Sequence, residues 1–431
     1  MIQGVWVAGY GLQVTVPVTD NWVYAARPRL TIHVENPHAD AVTANAQITI
    51  GTDKKTYVTT LSAAREIPAK GSDDLVLTTT EDLAPGFYKA TCTVNGDLTR
   101  SFVFAINPTA IISDPDPRPD FEQFWSTAKA QLEAIDMHPV LTELTRKSTA
   151  ARKVYLVELN SIPDGLSGEP VVVRGYYCEP QDGQKHPVIM HYLGYDGIYP
   201  DEHRYPPHCP SGDDAPDFAE FFLSTRGQSI NNRKADEREP DGHGDFTNTY
   251  GQWFLFHFGD RDSYYYRGAF MDVVRAVDFM GSRATSDMSH LFAEGSSQGG
   301  ALSYAAAALS NYPFTAIAPN VAFLGDFPDY FKIVDWPAST AKSAAKKAGL
   351  TDEQMYAFLS YFDTKNLATR IHCAVLATSG LLDGTCPPHT NIAPYNLIDN
   401  PDKEYHFYPN MTHDYPKNWW SMIGNFWKKF Q

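Results

Sequence analysis

"FAEGSSQGGALSYAAAALS", residues 292–310, sets two serines side by side among glycines. Gly-x-Ser-x-Gly fits in one register only: Gly295, Ser296, Ser297, Gln298, Gly299. That register makes Ser297 central and Ser296 its neighbour. The apolar run "HLFAE" before it reads as a strand, and "QGGALSYAAAALS" after it reads as a helix. A nucleophile elbow needs that strand–turn–helix setting, with small residues two positions either side of the serine. Gly295 and Gly299 meet the need, and Gly300 permits still closer packing of helix on sheet. A serine hydroxyl is a weak nucleophile until a base takes its proton, and a helix N-terminus helps hold negative charge nearby. The plainer reading is a serine-rich helix N-cap. The flanking strand and helix favour the elbow.

An elbow of this kind calls for an acid and then a histidine later in the chain, each at a strand end. After the apolar run "IHCAVLATSG" comes "LLDGTCPP", which offers Asp383; after "KEYHFYP" comes "NMTHDYP", which offers His413. Loop aspartates and histidines are common, so either alone would say little. Serine, acid and histidine in this order define a triad of the α/β-hydrolase type, with His413 as base and Asp383 orienting it. An oxyanion hole needs one N–H from the residue after the nucleophile, Gln298, and one from the loop after an earlier strand. "HYLGYDG" follows the strand "HPVIM", so Tyr195 is the expected second donor, with Gly194 letting the backbone bend.

Outward from these motifs, two grammars divide the chain of 431 residues. Residues 1 to 108 read as all-β: short alternating runs such as "RLTIHVEN", "ANAQITIG" and "RSFVFAI" end in turn residues, Asn95-Gly96 among them. The spacing predicts an immunoglobulin- or fibronectin-like sandwich. Trp6, Tyr10, Trp22 and Tyr24 could serve carbohydrate binding, but the expectation is that they are core and interface residues. "NPTAIISDPDPRPD" reads as a linker. Residues 109–431 alternate apolar strands with helical stretches, which implies a mostly parallel sheet covered on both faces. Phe121, Phe124, Trp125, Ala128 and Leu132 fall at helical spacing, and Trp419, Trp420, Ile423, Phe426, Trp427 and Phe430 share a broad apolar face on a C-terminal helix.

A formal net charge of −16 argues against a nucleic-acid or anionic-membrane partner. No apolar run in the C-terminal half is long enough for a membrane span. The start "MIQGVWVAGY" lacks a signal-peptide pattern; a cytoplasmic protein, or a periplasmic or secreted one whose leader was removed, both fit. The five cysteines show no metal spacing or disulfide framework and read as small core residues.

These residues together resemble the acetyl xylan esterase / cephalosporin C deacetylase family (carbohydrate esterase family 7). The likeness runs from about Asp116 to the C-terminus through "RPDFEQFW", Gly194-Tyr195, Arg226-Gly227-Gln228, "YYYRGAFMDVVRAVDF", "GSSQGGALSYAAAALS", "FLGDFP", "GLLDGTCPPHTNIAPYN" and "THDYP". It implies Ser297, Asp383 and His413 as the triad, Tyr195 and Gln298 as the oxyanion hole, and the Arg226-Gly227-Gln228 triplet as structural support. It further implies acetylated carbohydrate as substrate, no metal or organic cofactor, and an acyl slot closed by Tyr195, Tyr192 and the aromatics of "FLGDFPDYF". The family is associated with a ring-like hexamer, so a homo-oligomer is left open. This chain departs from the family at Asp414, where glutamate is usual, and at Ser229, where glycine is usual. Residues 230–260 are longer and more charged than the pattern, and the N-terminal β part is additional. Two other readings stand beside it: a serine peptidase of the prolyl-oligopeptidase type, for whose β-propeller about 108 residues are too few, and a non-catalytic sugar-binding protein, which would lack a triad member.

Overall fold

The computed structural model describes residues 4–195, 217–232, 250 and 252–431. The first part holds nine strands: β1 (Trp6–Ala8), β2 (Leu12–Thr15), β3 (Val23–Tyr24), β4 (Arg29–Glu35), β5 (Val42–Thr52), β6 (Tyr57–Ile67), β7 (Ser72–Thr78), β8 (Gly86–Val94) and β9 (Asp97–Ile106). They form two sheets, ordered β1-β2-β4-β7 and β3-β9-β8-β5-β6. Alternate residues face inward, so Ile32, Val34, Ile48, Ile50, Cys92 and Phe104 are buried between charged and threonine-rich outer positions. Trp22 stacks on Phe102 in this core, and Tyr24 is buried as expected. Tyr10 departs from the expectation: its left-handed backbone (φ 63°) turns the ring outward, and it is 78% exposed.

Among the described residues, the second part is built on nine further strands: β10 (Val140–Glu143), β11 (Arg152–Ser161), β12 (Val171–Pro180), β13 (His186–Tyr192), β14 (Ala219–Ser224), β15 (Ser286–Ser296), β16 (Ala316–Asn320), β17 (Ala374–Gly380) and β18 (Lys403–Tyr408). The sheet order is β10-β11-β12-β14-β13-β15-β16-β17-β18. From β14 onward every pairing is parallel, while β10, β11, β12 and β14 pair antiparallel. The helices are α1 (Phe121–Glu133), α2 (Tyr265–Gly281), α3 (Gln298–Leu309), α4 (Phe327–Ile333), α5 (Ala338–Lys347), α6 (Asp352–Leu359), α7 (Thr364–Ala368), α8 (Pro388–Leu397) and α9 (Trp419–Trp427).

The central strands are apolar without alternation because both faces are covered. Val188, Met190, Ala293, Ile317 and Val375 join the core that includes α2 and α3. Their neighbours Ile189, Phe292, Ala316 and Leu376 pack on α9 through Ile423, Phe426 and Trp427. Trp420, expected on that face, lies at its edge and is 40% exposed. The five expected α1 residues are all buried. Among the described residues, no helix is long and apolar enough to cross a membrane.

The two parts touch through particular side chains. Phe87 packs on Phe407 with ring centroids 5.9 Å apart, and the Arg100 guanidinium donates to Asn410 Oδ1 at 2.6 Å. Lys54 pairs with Asp329, part of a cluster with Asp326 and His389. Its carboxylates are already engaged by ammonium and imidazole groups, with Lys365 Nζ 3.0 Å and His389 Nε2 2.7 Å from Asp326.

Candidate active site

Ser297 sits between the last residue of β15 and the first of α3, with φ 60° and ψ −119°. A non-glycine residue held there is strained, and two glycines make the turn sterically feasible. A Cβ on Gly295 would lie 2.5 Å from the Gly299 backbone, and one on Gly299 would lie 2.3 Å from the Tyr192 carbonyl oxygen. The turn is pinned from both sides: Ser297 N–H donates to Asn320 O at 2.9 Å, and Phe323 N–H donates to Ser297 O at 3.0 Å. Ser296 points elsewhere; its hydroxyl accepts from Asn320 Nδ2 at 2.8 Å. That same amide donates to Asp414 O at 3.0 Å, and Asn320 Oδ1 accepts from Thr378. Asn320 therefore links the serine turn to the loop that carries His413.

Asp383 follows β17 and is buried. One of its oxygens accepts the backbone N–H groups of Thr385 and Cys386, at 2.8 and 2.9 Å. The other lies 2.8 Å from His413 Nδ1. An ionised carboxylate can only accept, so Nδ1 carries the proton and Nε2 is left as the basic nitrogen. His413 and Ser297 line one cavity of about 710 Å³, with Gly194, Tyr195, Phe323 and Trp336 on its walls. No hydrogen bond joins the two. Ser297 Oγ rests 3.9 Å from Cys386 Sγ. Burial pushes the Cys386 thiol well above its usual range, so it is a neutral weak donor. Cys386 is a core residue as expected, and its contact with the serine comes in addition; its place two residues after Asp383-Gly384 is the available signal. Cys92, Cys178 and Cys373 are buried as expected, and Cys209 lies outside the described residues.

Gln298 is the first residue of α3, where backbone N–H groups have no partner within the helix. The second expected donor is set by Gln228, whose amide donates to Gly194 O at 2.5 Å and Tyr195 O at 2.9 Å. A trans peptide points its C=O and N–H opposite ways, so holding Gly194 O directs Tyr195 N–H to the other side. Gln228 is in turn fixed by Thr225 Oγ1 (2.6 Å) and Gln298 Nε2 (3.2 Å), and Tyr266 Oη donates to Gln298 Oε1 at 2.9 Å. Arg226 is buried against Asp272: Nη2 and Nε reach its two oxygens at 2.6 and 3.0 Å. Gly227 has φ 72°, and Ser229 has φ 45°, the left-handed region for which glycine is best suited. Residues 233–249 and 251, the bulk of the charged stretch, lie outside the described residues.

Of the residues expected to close an acyl slot, Tyr195 and Phe323 line the cavity. Tyr192 does not; it is wholly buried in the strand below. Phe327 and Tyr330 are also buried, and Tyr330 packs behind Phe323 at 6.1 Å.

A largely parallel sheet flanked by helices, with a strained serine between β15 and α3, defines an α/β-hydrolase fold. The acetyl xylan esterase family model matches residues 113–430, and the chain belongs to that family of esterases. It is 26% identical to the acetyl esterase Axe7A of Xylanibacter ruminicola over 334 residues, which span 74% of this chain and 68% of that protein. The acetyl xylan esterase from Paenibacillus sp. R4 superposes with a TM-score of 0.62 at 26% identity, covering 74% of this chain and 98% of the other. Acetyl xylan esterase 1 from Thermoanaerobacterium sp. JW/SL YS485 shares the fold, with a TM-score of 0.61 at 23% identity over 74% and 95% of the two chains.

Proposed function

We propose that this esterase removes acetyl groups from carbohydrate hydroxyls through a covalent acyl-enzyme on Ser297. The observation that carries the reading is the shared cavity. A serine on a strained turn faces the same space as a histidine whose Nδ1 proton is held by a buried carboxylate. Ser297 Oγ attacks the acetyl carbonyl carbon while His413 Nε2 takes its proton, and Asp383 stabilises the imidazolium. The negative charge that develops on the carbonyl oxygen is met by the N–H groups of Gln298 and Tyr195. Collapse expels the sugar alkoxide, which recovers the proton from His413. Water, deprotonated by His413, then attacks the acyl-serine, and acetate leaves. Substrate entry requires Ser297 Oγ to leave Cys386 and turn to His413, in keeping with catalytic hydrogen bonds that tighten only in the complex.

Residues 1–108 we take as a separate immunoglobulin- or fibronectin-like sandwich and residues 109–431 as the catalytic domain. No described residue of the first part lines the cavity with Ser297. The deciding experiment compares acetylated xylo-oligosaccharide, a peptide amide and a long-chain ester as substrates. Acetate release from the first, with little turnover of the others, is expected. Peptide hydrolysis exceeding acetate release would overturn the reading in favour of a peptidase.

A further inference from the structure

The aromatic walls of the cavity are not alike. Phe323 is 1% exposed and backed by Tyr330, as a core residue should be, whereas Trp336 beside it is 37% exposed. Trp336 stands on the turn between α4 and α5. One face of its indole lies parallel to the Phe323 ring, with centroids 5.9 Å apart and an interplanar angle of 15°. The Tyr195 ring stands nearly perpendicular to it, at 74° with centroids 5.9 Å apart. These two contacts hold the indole in place on the wall of the cavity that Ser297 and His413 share. Gln252, exposed at the same cavity, offers an amide with two donors and an acceptor. The hairpin of the first part tethers this region, with Lys54 on Asp329 and Lys55 Nζ 3.6 Å from Asp335, next to Trp336.

A rigid, half-exposed indole beside a reacting centre is a poor way to close a core and a good way to hold a flat ring. A pyranose presents one face of axial C–H bonds, which carry partial positive charge, and an aromatic face is negative at its centre. Its equatorial hydroxyls stay free at the rim for an amide such as Gln252. Building on the deacetylase reading above, we infer that Trp336 is the stacking platform for the pyranose ring that bears or adjoins the ester, and so a substrate-binding residue. It selects sugar esters over other acetyl esters by lowering KM, without touching the reacting atoms.

The test separates this claim from the chemistry. Ethyl acetate reports the triad alone, and unacetylated xylotetraose serves as a competing ligand that needs no turnover. In the wild type, xylotetraose is expected to inhibit ethyl acetate hydrolysis competitively. Trp336→Leu, which keeps an apolar contact on Phe323, should raise that inhibition constant about 5- to 10-fold, as loss of one aromatic stacking contact does. That rise should exceed any change in KM for ethyl acetate, which has no ring to stack. Trp336→Phe should restore most of the affinity. Should Trp336→Leu fail to fold, intrinsic fluorescence decides: xylotetraose should change the emission of the wild type but not that of Trp336→Phe. An unchanged inhibition constant, no inhibition of the wild type, or an equal fluorescence change in both proteins would overturn the platform. Failure of the deacetylase reading would look different: ethyl acetate would be cleaved while acetylated xylotetraose released no acetate.

Discussion

Replacing Gln228 by methionine removes one amide and should switch off much of the chemistry without touching the triad. The side chain is buried, and its Nε2 holds the carbonyls of Gly194 and Tyr195. Methionine has similar length but can do neither, so the 194–195 peptide loses the bond that fixes its plane. The Tyr195 N–H can then rotate away from the proposed oxyanion position. Loss of one oxyanion donor costs about 10²- to 10³-fold in kcat, or roughly 3 to 4 kcal/mol of transition-state stabilisation. The ground-state ester carries little charge on that oxygen, so KM should stay within about 3-fold. Stability will also fall, because Thr225 Oγ1 and Gln298 Nε2 lose a partner, at about 1 to 3 kcal/mol for each group left unpaired. The assay is steady-state hydrolysis of ethyl acetate at a temperature where circular dichroism shows the variant folded. A kcat loss below about 5-fold in a folded protein would refute the reasoning, as would a loss carried wholly by KM.

Arg226→Met should behave in the opposite way: it leaves Asp272 buried without its cationic partner, which costs about 3 to 5 kcal/mol of stability, while kcat per folded molecule falls far less than in Gln228→Met. Thermal melts paired with active-site titration read the two effects separately. A second expectation concerns alkaline pH. Burial alone would lower the pKa of His191, but hydrogen bonds to Glu220 and Glu294 outweigh it and push the value up to about 9. A pKa above the ordinary 6.5 means that this group's stabilisation is complete below pH 6.5 and is lost as pH rises through 9. The melting temperature should therefore fall between pH 8 and 10 by more in the wild type than in His191→Gln; equal slopes would count against the buried imidazolium. Along acetyl, butyryl and octanoyl esters, rates should fall, since each group forced against the Phe323 and Tyr195 wall costs about 1 to 3 kcal/mol. A rising series would point to an open acyl channel.

The positions that sequence makes legible here are those whose structural setting is written locally. Ser297 is flanked by the two glycines that its turn cannot do without, and Asp383 and His413 follow apolar runs that become β17 and β18. The α1 face was readable for the same reason: its five apolar positions repeat with the helical period. Contacts between distant segments were not readable. Gln228 lies 34 residues from Gly194, and nothing near either predicts that the amide of one holds the carbonyl of the other. Asn320 had no motif at all, although it ties the serine turn to the His413 loop. Trp420 and Tyr10 failed the other way: helical spacing put Trp420 on an apolar face and Tyr10 was expected in a core or interface, but the end of a helix and a left-handed turn leave them at the surface. Periodicity reports which side of an element is apolar, not where its partner stops.

The central claim is that Ser297, rather than Ser296, carries the acyl group. Both can be tested at once by treating the protein with a phosphonate ester that modifies activated serines, locating the added mass by peptide sequencing, and assaying Ser297→Ala beside Ser296→Ala. Ser296 has its hydroxyl engaged by Asn320, while Ser297 occupies the strained position beside the cavity, so the mass should fall on Ser297 alone. Ser297→Ala should lose about 10⁴- to 10⁶-fold in kcat, and Ser296→Ala should keep most of it, since Asn320 retains its bond to Asp414. Label on Ser296, or a Ser297→Ala variant that still hydrolyses acetyl esters at near wild-type rate, would contradict the account.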